Sequence, residues 1–167
     1  ILAIRSNPEH MKRIDELGID TIDLIVVNLY PFKDTIQKPK VEFEECVENI
    51  DIGGPTMIRS AAKNSGGVGV VVDPDDYKII LKEMKDNDGK LSKSTMFSLS
   101  IKAFKHTCEY DSVIFNYFIK KISKYGNDNI KIDNFLDIEN TKQVKQRSSS
   151  NINDFKNDAG EFNEDLN

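Results

Sequence analysis

Asp51-Ile52-Gly53-Gly54-Pro55-Thr56 runs straight into a helical segment. Its glycines let a ligand approach the backbone. A helix start also exposes free N–H groups at the positive end of its dipole, which suits an anion or oxyanion. Asp51 reads as a general base or an acceptor for a ligand amide, and equally as the capping residue of a turn between helices. Lys63 lies twelve residues further on, in Arg59-Ser60-Ala61-Ala62-Lys63-Asn64. Its ammonium can protonate a departing oxygen, although a solvated lysine at a helix C-terminus is the ordinary case. Asn28 and Tyr30 offer an amide and a phenol directly after a short apolar run, as a polar ligand clamp or as part of a turn. His106 can act as a base or sit structurally at a helix end, and Cys108 has only His106 near it in sequence. Glu42, Glu44, Glu45 and Glu48 read as a solvated helix face, not as a metal site.

These residues depend on a small set of elements. Ile22–Val27 (IDLIVV) and Val68–Val72 (VGVVV) are short apolar runs rich in β-branched residues, and they predict strands buried on both faces of a parallel sheet. Asn7-Pro8 opens a helix carrying Met11, Ile14 and Leu17, and Gly18 ends it. Phe43, Cys46, Val47 and Ile50 share a helical face. A helix from about Pro55 carries Met57, Ile58, Ala61 and Ala62. Asp73-Pro74-Asp75-Asp76 starts another, with Tyr77, Ile80, Leu81 and Met84 as its stripe. Ser92 caps a helix reaching about Thr107, and a separate amphipathic stretch runs over Val113, Ile114, Tyr117 and Phe118 to about Lys121.

Helices alternating with short strands argue for an α/β fold with helices covering a parallel sheet. In such sheets ligands bind beyond the carboxyl ends of the strands, which is where Asn28 and Tyr30 fall. Two strands are fewer than the ~4–6 of an ordinary sheet, so N-terminal strands are expected to be missing before Ile1. From Ser123 onward the chain is rich in Asn, Asp, Lys and Ser, and it is expected to be mostly disordered. Ile130, Ile132, Phe135, Leu136 and Ile138 could form one weak element within it, and Lys142–Ser150 reads as a linker. The expected division is therefore residues 1–121 as a partial domain and 122–167 as a low-complexity tail.

The 167 residues carry 23 basic and 28 acidic side chains, a net charge of −5. The basic residues are scattered among acids, so a nucleic-acid surface is not expected. No apolar run approaches the ~20 residues of a membrane span, so no membrane partner is expected either. Two cysteines without a signal-peptide pattern fit a reducing compartment, most simply the cytosol. The two histidines and two cysteines match no familiar zinc spacing, so no metal is expected.

Four blocks carry a specific likeness: VVNLYPF (Val26–Phe32), IDIGGPTMIRSAAKN (Ile50–Asn64), VVVDPDDY (Val70–Tyr77) and KAFKHTCEYD (Lys102–Asp111). In this order they resemble the amino-terminal cyclohydrolase domain of the bifunctional purine biosynthesis family. That family joins a 5-aminoimidazole-4-carboxamide ribonucleotide (AICAR) formyltransferase to an inosine monophosphate (IMP) cyclohydrolase. The resemblance implies a methylglyoxal-synthase-like fold, a parallel sheet flanked by helices. It implies dehydrative ring closure of formylated AICAR to IMP, with no cofactor for that step and 10-formyltetrahydrofolate for the companion formyltransferase. It implies a purine ribonucleotide as substrate and a homodimer in the full-length enzyme. Residue by residue, Val27 and Asn28 would contact the base, and Tyr30 would orient the carboxamide or formyl group. Asp51 would hold or deprotonate the amide, Ile52 and Gly53 would line the site by backbone, and Lys63 would move the proton at the departing oxygen.

The family's domain starts upstream of Ile1, with phosphate-binding loops and a Lys-Thr motif that supplies another active-site lysine. Tyr125-Gly126-Asn127 carries only the first letters of the motif that opens the formyltransferase. The chain as written is therefore expected to be a fragment that catalyses neither reaction. The same fold also serves as the allosteric ligand module of carbamoyl phosphate synthetase, which is the alternative reading. Methylglyoxal synthase itself ranks last.

Overall fold

The computed structural model describes residues 1–125, with side chains placed through Lys121. The chain divides into two units, Ile1–Lys121 and Ile122–Asn167. The elements below lie in the first, apart from the last turn of the final helix. Residues 122–125, expected to open the tail, instead continue the final helix; the rest of the tail, its weak apolar segment and the linker expected from the sequence lie outside the described residues.

Helix α1 (Pro8–Glu16) begins at Asn7, whose side-chain oxygen accepts from the N–H groups of Glu9 and His10 at 3.0 and 3.4 Å. It ends at Gly18, which takes φ +62°, a left-handed conformation that costs glycine little. Strand β1 (Leu24–Val26) follows, then the short helices α2 (Phe32–Thr35) and α3 (Phe43–Glu48), and then helix α4 (Gly53–Lys63). Strand β2 (Gly69–Val71) pairs parallel to β1, with Leu24 opposite Gly69 and Val26 opposite Val71. The ladder extends one residue further, where the Val27 N–H donates to the Val71 carbonyl at 2.9 Å. A 3-10 turn (Pro74–Asp76), capped by the Asp73 side chain, leads into α5 (Tyr77–Asp86). Helix α6 (Lys93–Tyr125) closes the described chain.

The pleat sends alternate residues to opposite faces. Ile25 and Val70 share one face with Ile58, Ala61 and Ala62 of α4 and Ala103 of α6. Val71 lies on the other face with Ile80 of α5 and Leu99 of α6. A third cluster, Phe32, Cys46 and Tyr117, ties α2 and α3 to the far half of α6.

Several expectations change in detail. β2 is buried throughout, but in β1 only Ile25 is, and Val26 is 52% exposed. Among the described residues no element covers that part of its face. Val47, Met57 and Leu81 point outward. The two helical stretches expected after Ser92 are one continuous helix. Its buried or half-buried positions Leu99, Ala103, Thr107, Tyr110, Ile114 and Tyr117 keep a helical period across the expected break. No described helix is long and apolar enough to cross a membrane.

Candidate functional site

A cleft of about 250 Å3 opens at the carboxyl ends of both strands. The segment after β1 supplies Asn28 to Lys33, the end of β2 supplies Val72, and α6 supplies His106 and Tyr110. The location follows from the topology, because parallel strands leave a crevice where their carboxyl ends splay into successive loops.

Asp51 organises the wall. One carboxylate oxygen accepts from the Gly54 N–H at 2.7 Å, satisfying an otherwise free donor of the first turn of α4. The other accepts from the Tyr30 N–H at 3.2 Å. The Asp51 N–H in turn donates to the Tyr110 hydroxyl at 2.8 Å, and that hydroxyl donates to the Asn49 carbonyl at 3.3 Å. Three elements far apart in sequence thus converge on one residue. Burial pushes the Tyr110 phenol above its usual range; the hydrogen bond from the Asp51 N–H opposes this, and the charges of Asp51 and Asp111 add to it. The phenol therefore keeps its proton at neutral pH. Gly54 makes the junction possible, since a Cβ there would fall 2.6 Å from Leu29 Cδ2 and 2.7 Å from Asp51 Oδ2.

Of the residues singled out in the sequence, Asn28 and Tyr30 line the cleft, and Asp51 touches it through Tyr30 and Tyr110. Val27 packs its side chain against the core and gives its N–H to the ladder. Ile52 is 75% exposed, and the position of a Gly53 Cβ meets nothing within 4 Å. Lys63 is the last residue of α4 and is exposed. The ten helical steps from Gly53 to Lys63 separate it from the Asp51 end by roughly 15 Å at 1.5 Å per residue. One chain therefore does not bring the Lys63 ammonium to the Asp51 carboxylate.

The sequence did not single out Tyr110. His106 reads in the sequence as a base or as a structural residue at a helix end, whereas it sits inside α6, one turn before Tyr110. The spacing of four between them is the signal that could have paired them. A second anchor steadies this part of α6. The Lys102 ammonium bonds both Asp73 and Asp76 at 2.7 Å. Lys102 and the Asp75 N–H hold the Asp73 carboxyl below its usual range, while Asp73 and Asp76 raise Lys102. Among the described residues no three His, Cys, Asp or Glu side chains gather as metal ligands.

The model of the AICARFT/IMPCHase bienzyme matches residues 61–155, and that of the MGS-like domain matches residues 3–56. The chain belongs to the AICARFT/IMPCHase bienzyme family. Its fold is the MGS-like α/β arrangement that the resemblance implied, and the family match runs past residue 121 into the segment read as a tail. The chain is 59% identical over 117 residues to the bifunctional purine biosynthesis protein PurH of Ruminiclostridium cellulolyticum, covering 70% of this chain and 23% of that protein. It is 57% identical over 118 residues to PurH of Caldicellulosiruptor saccharolyticus, covering 71% and 23%. With PurH of Bacillus mycoides the identity is 50% over 132 residues, covering 79% and 26%. The chain thus spans about a quarter of the length of these relatives. A solved structure, the crystal structure of ForH, superposes with a TM-score of 0.62 at 31% identity, over 70% of this chain and 60% of that one.

Proposed function

We propose that this chain is part of an IMP cyclohydrolase site in de novo purine biosynthesis. The carboxamide nitrogen of formylated AICAR attacks its own formyl carbon, forming the N–C bond. The carbon–oxygen bond then breaks and water leaves, giving IMP. Positioning supplies much of the rate in such an intramolecular attack. The observation that carries the reading is the convergence on Asp51 beside a cleft bearing Asn28 and Tyr30. At about 250 Å3 the cleft is smaller than the ~300–1,000 Å3 of a typical small-molecule site. It suits the base and carboxamide end, with ribose and phosphate held elsewhere.

In this reading Asn28 meets the base, with Val27 setting its backbone. Tyr30 orients the carboxamide or formyl group, Asp51 fixes the Tyr30 segment and receives the amide proton, and the Ile52–Gly53 backbone closes the rim. Lys63 serves the departing oxygen from a second copy of the chain, in keeping with a homodimer, because α4 separates it from Asp51 within one copy. Ring closure takes no metal or organic cofactor, and 10-formyltetrahydrofolate belongs to the companion formyltransferase. The enzyme works in the cytosol on purine ribonucleotides.

The test is IMP formation from formylated AICAR by the full-length natural protein, followed by ultraviolet absorbance, for wild type and for Tyr30→Phe. A ten- to hundredfold fall in kcat with little change in KM is expected, in the range of a lost positioned donor or proton carrier. Wild-type rates in Tyr30→Phe would sink the assignment of Tyr30, and a wild-type protein that makes no IMP would sink the function itself.

A further inference from the structure

We infer that the outer face of α6 is an interaction surface for a second copy of this chain, paired about a two-fold axis that crosses α6 near Cys108. The inference rests on the cyclohydrolase reading only where it concerns Lys63. Helix α6 is apolar on two sides. One side, with Leu99, Ala103, Thr107 and Tyr117, is buried in the domain. On the other, Phe97, Ile101, Phe104 and Phe115 are 63%, 58%, 40% and 42% exposed. Phe97 and Phe115 stand eighteen residues apart, five full turns, so they lie on one line along the helix. Ile101, Phe104 and the exposed Cys108 fall between them at the alternating four-three spacing of a coiled-coil seam. A helix that is apolar all round is a buried helix in its native assembly. Among the described residues nothing covers this side.

Size and charge point to a second copy as the occupant. Four half-exposed side chains of ~150–250 Å2 each present roughly 300–500 Å2, as much as the largest apolar patch of an ordinary monomer. A two-fold axis buries such a patch twice, and a polar rim brings the total toward the ~1,200–2,000 Å2 of a stable interface. The face is also complementary to itself, as a two-fold pairing requires. Lys105 and Asp111 lie three residues either side of Cys108. An axis there, perpendicular to α6, sets each against the opposite charge of the second copy. The same axis sets Ile101 against Phe115, seven residues either side. The pairing also bears on the separation of Lys63 from Asp51. Helices α4 and α6 run in opposite directions, because the Ser100 hydroxyl donates to the Ala62 carbonyl at 2.8 Å while the Asp51 N–H donates to the Tyr110 hydroxyl. The Arg59 guanidinium, one turn before Lys63, stacks over the Phe104 ring at 5.8 Å, so the Lys63 end of α4 borders the seam. Antiparallel pairing of the two α6 helices therefore carries the Lys63 end of one copy toward the Asp51 end of the other.

The experiment takes the full-length natural protein and measures its mass by sedimentation, subunit exchange by fluorescence transfer between differently tagged copies, and maleimide labelling of Cys108 by peptide mass. A wild-type dimer with Cys108 protected from the reagent is expected. Ile101→Asp is expected to speed subunit exchange about tenfold or more, because loss of a central apolar contact acts mainly on dissociation, and to open Cys108 to labelling. If Ile101→Asp does not fold, Phe97→Asp, at the most exposed of the four positions, gives the same reading. A wild-type monomer overturns the inference. So does a dimer whose Cys108 labels freely, because its seam is then open. A protected Cys108 with exchange unmoved in the folded variant overturns it as well, because another part of the same polypeptide then covers α6. IMP formation by the wild type is followed alongside. Its absence refutes the cyclohydrolase reading and leaves the surface standing, whereas normal IMP formation with an open seam refutes the surface alone.

Discussion

Replacing Gly53 and Gly54 one at a time by alanine should move the stability of α4 in opposite directions. The two glycines are adjacent in the first turn, so their helix propensities are alike. Their surroundings are not. A Cβ on Gly53 meets nothing within 4 Å, so Gly53→Ala gains only from reducing the freedom of the unfolded chain, about 0.4–1 kcal/mol. A Cβ on Gly54 falls 2.6 Å from Leu29 Cδ2 and 3.0 Å from Asp51 Cγ. Leu29 can turn, but Asp51 is held by two backbone donors. Overpacking of this kind costs about 1–3 kcal/mol, and the propensity gain offsets part of it, which leaves about 1–2 kcal/mol net. That corresponds to a roughly 5- to 30-fold rise in the open fraction of the segment. Hydrogen exchange followed by mass spectrometry on peptides spanning residues 50–63 reads this locally in the full-length protein. Exchange should slow slightly in Gly53→Ala and quicken in Gly54→Ala, with peptides containing Tyr30 quickening too. Equal exchange in the two variants would refute the claim that the Asp51 carboxylate sits against the α4 backbone.

Tyr110→Phe should destabilise the domain by about 1 kcal/mol, because the Asp51 N–H loses its acceptor; an unchanged urea midpoint would contradict this. The raised Tyr110 phenol holds its proton longer when folded than when unfolded. Wild-type stability should therefore fall as pH rises through and above the ordinary tyrosine range, and the fall should be shallower in Tyr110→Phe. The depressed Asp73 carboxyl contributes stability that is present above the ordinary carboxylate range and is lost as pH falls through the folded value. The gap between wild type and Lys102→Met seen at neutral pH should therefore close in acid, and a gap independent of pH would exclude the clamp as its source. Mixing Asp51→Asn and Lys63→Ala full-length proteins under conditions of subunit exchange should restore up to about a quarter of wild-type IMP formation, since random pairing of two copies leaves a share of intact sites. No recovery would place both residues in one chain's site or remove Lys63 from it.

Much of the fold was legible because its signals are local. The β-branched runs at Ile25 and Val70 gave both strands, and Asn7-Pro8 with Gly18 gave the bounds of α1 to within a residue. α6 was read as two helices for a physical reason. At Thr107 the buried face carries a hydroxyl, which donates to the Phe104 carbonyl at 3.2 Å and so needs no other partner. The apolar period lapses there while the helix does not. The exposure of Val26 was not legible either, because what covers a strand depends on neighbours that its own residues do not encode.

The site divides along the same line. Asn28 and Tyr30 were found by a rule about strand ends, which needs only the order of elements. Asp51 presented two readings, a cap and a ligand group, and its contacts bear out the first. Its carboxylate caps α4 through Gly54, and the same carboxylate holds the Tyr30 segment at the cleft. Capping sets the carboxylate's position, and that position orders the wall of the cleft. Substitution of Asp51 therefore disturbs the cleft wall, α4 and the Tyr110 contact together, and its effect does not add to that of Tyr110→Phe. Tyr110 escaped the sequence because α6 reaches the cleft only after the chain has passed through both strands. Its relation to Asp51 spans more than fifty residues and appears only once the sheet has set the distance.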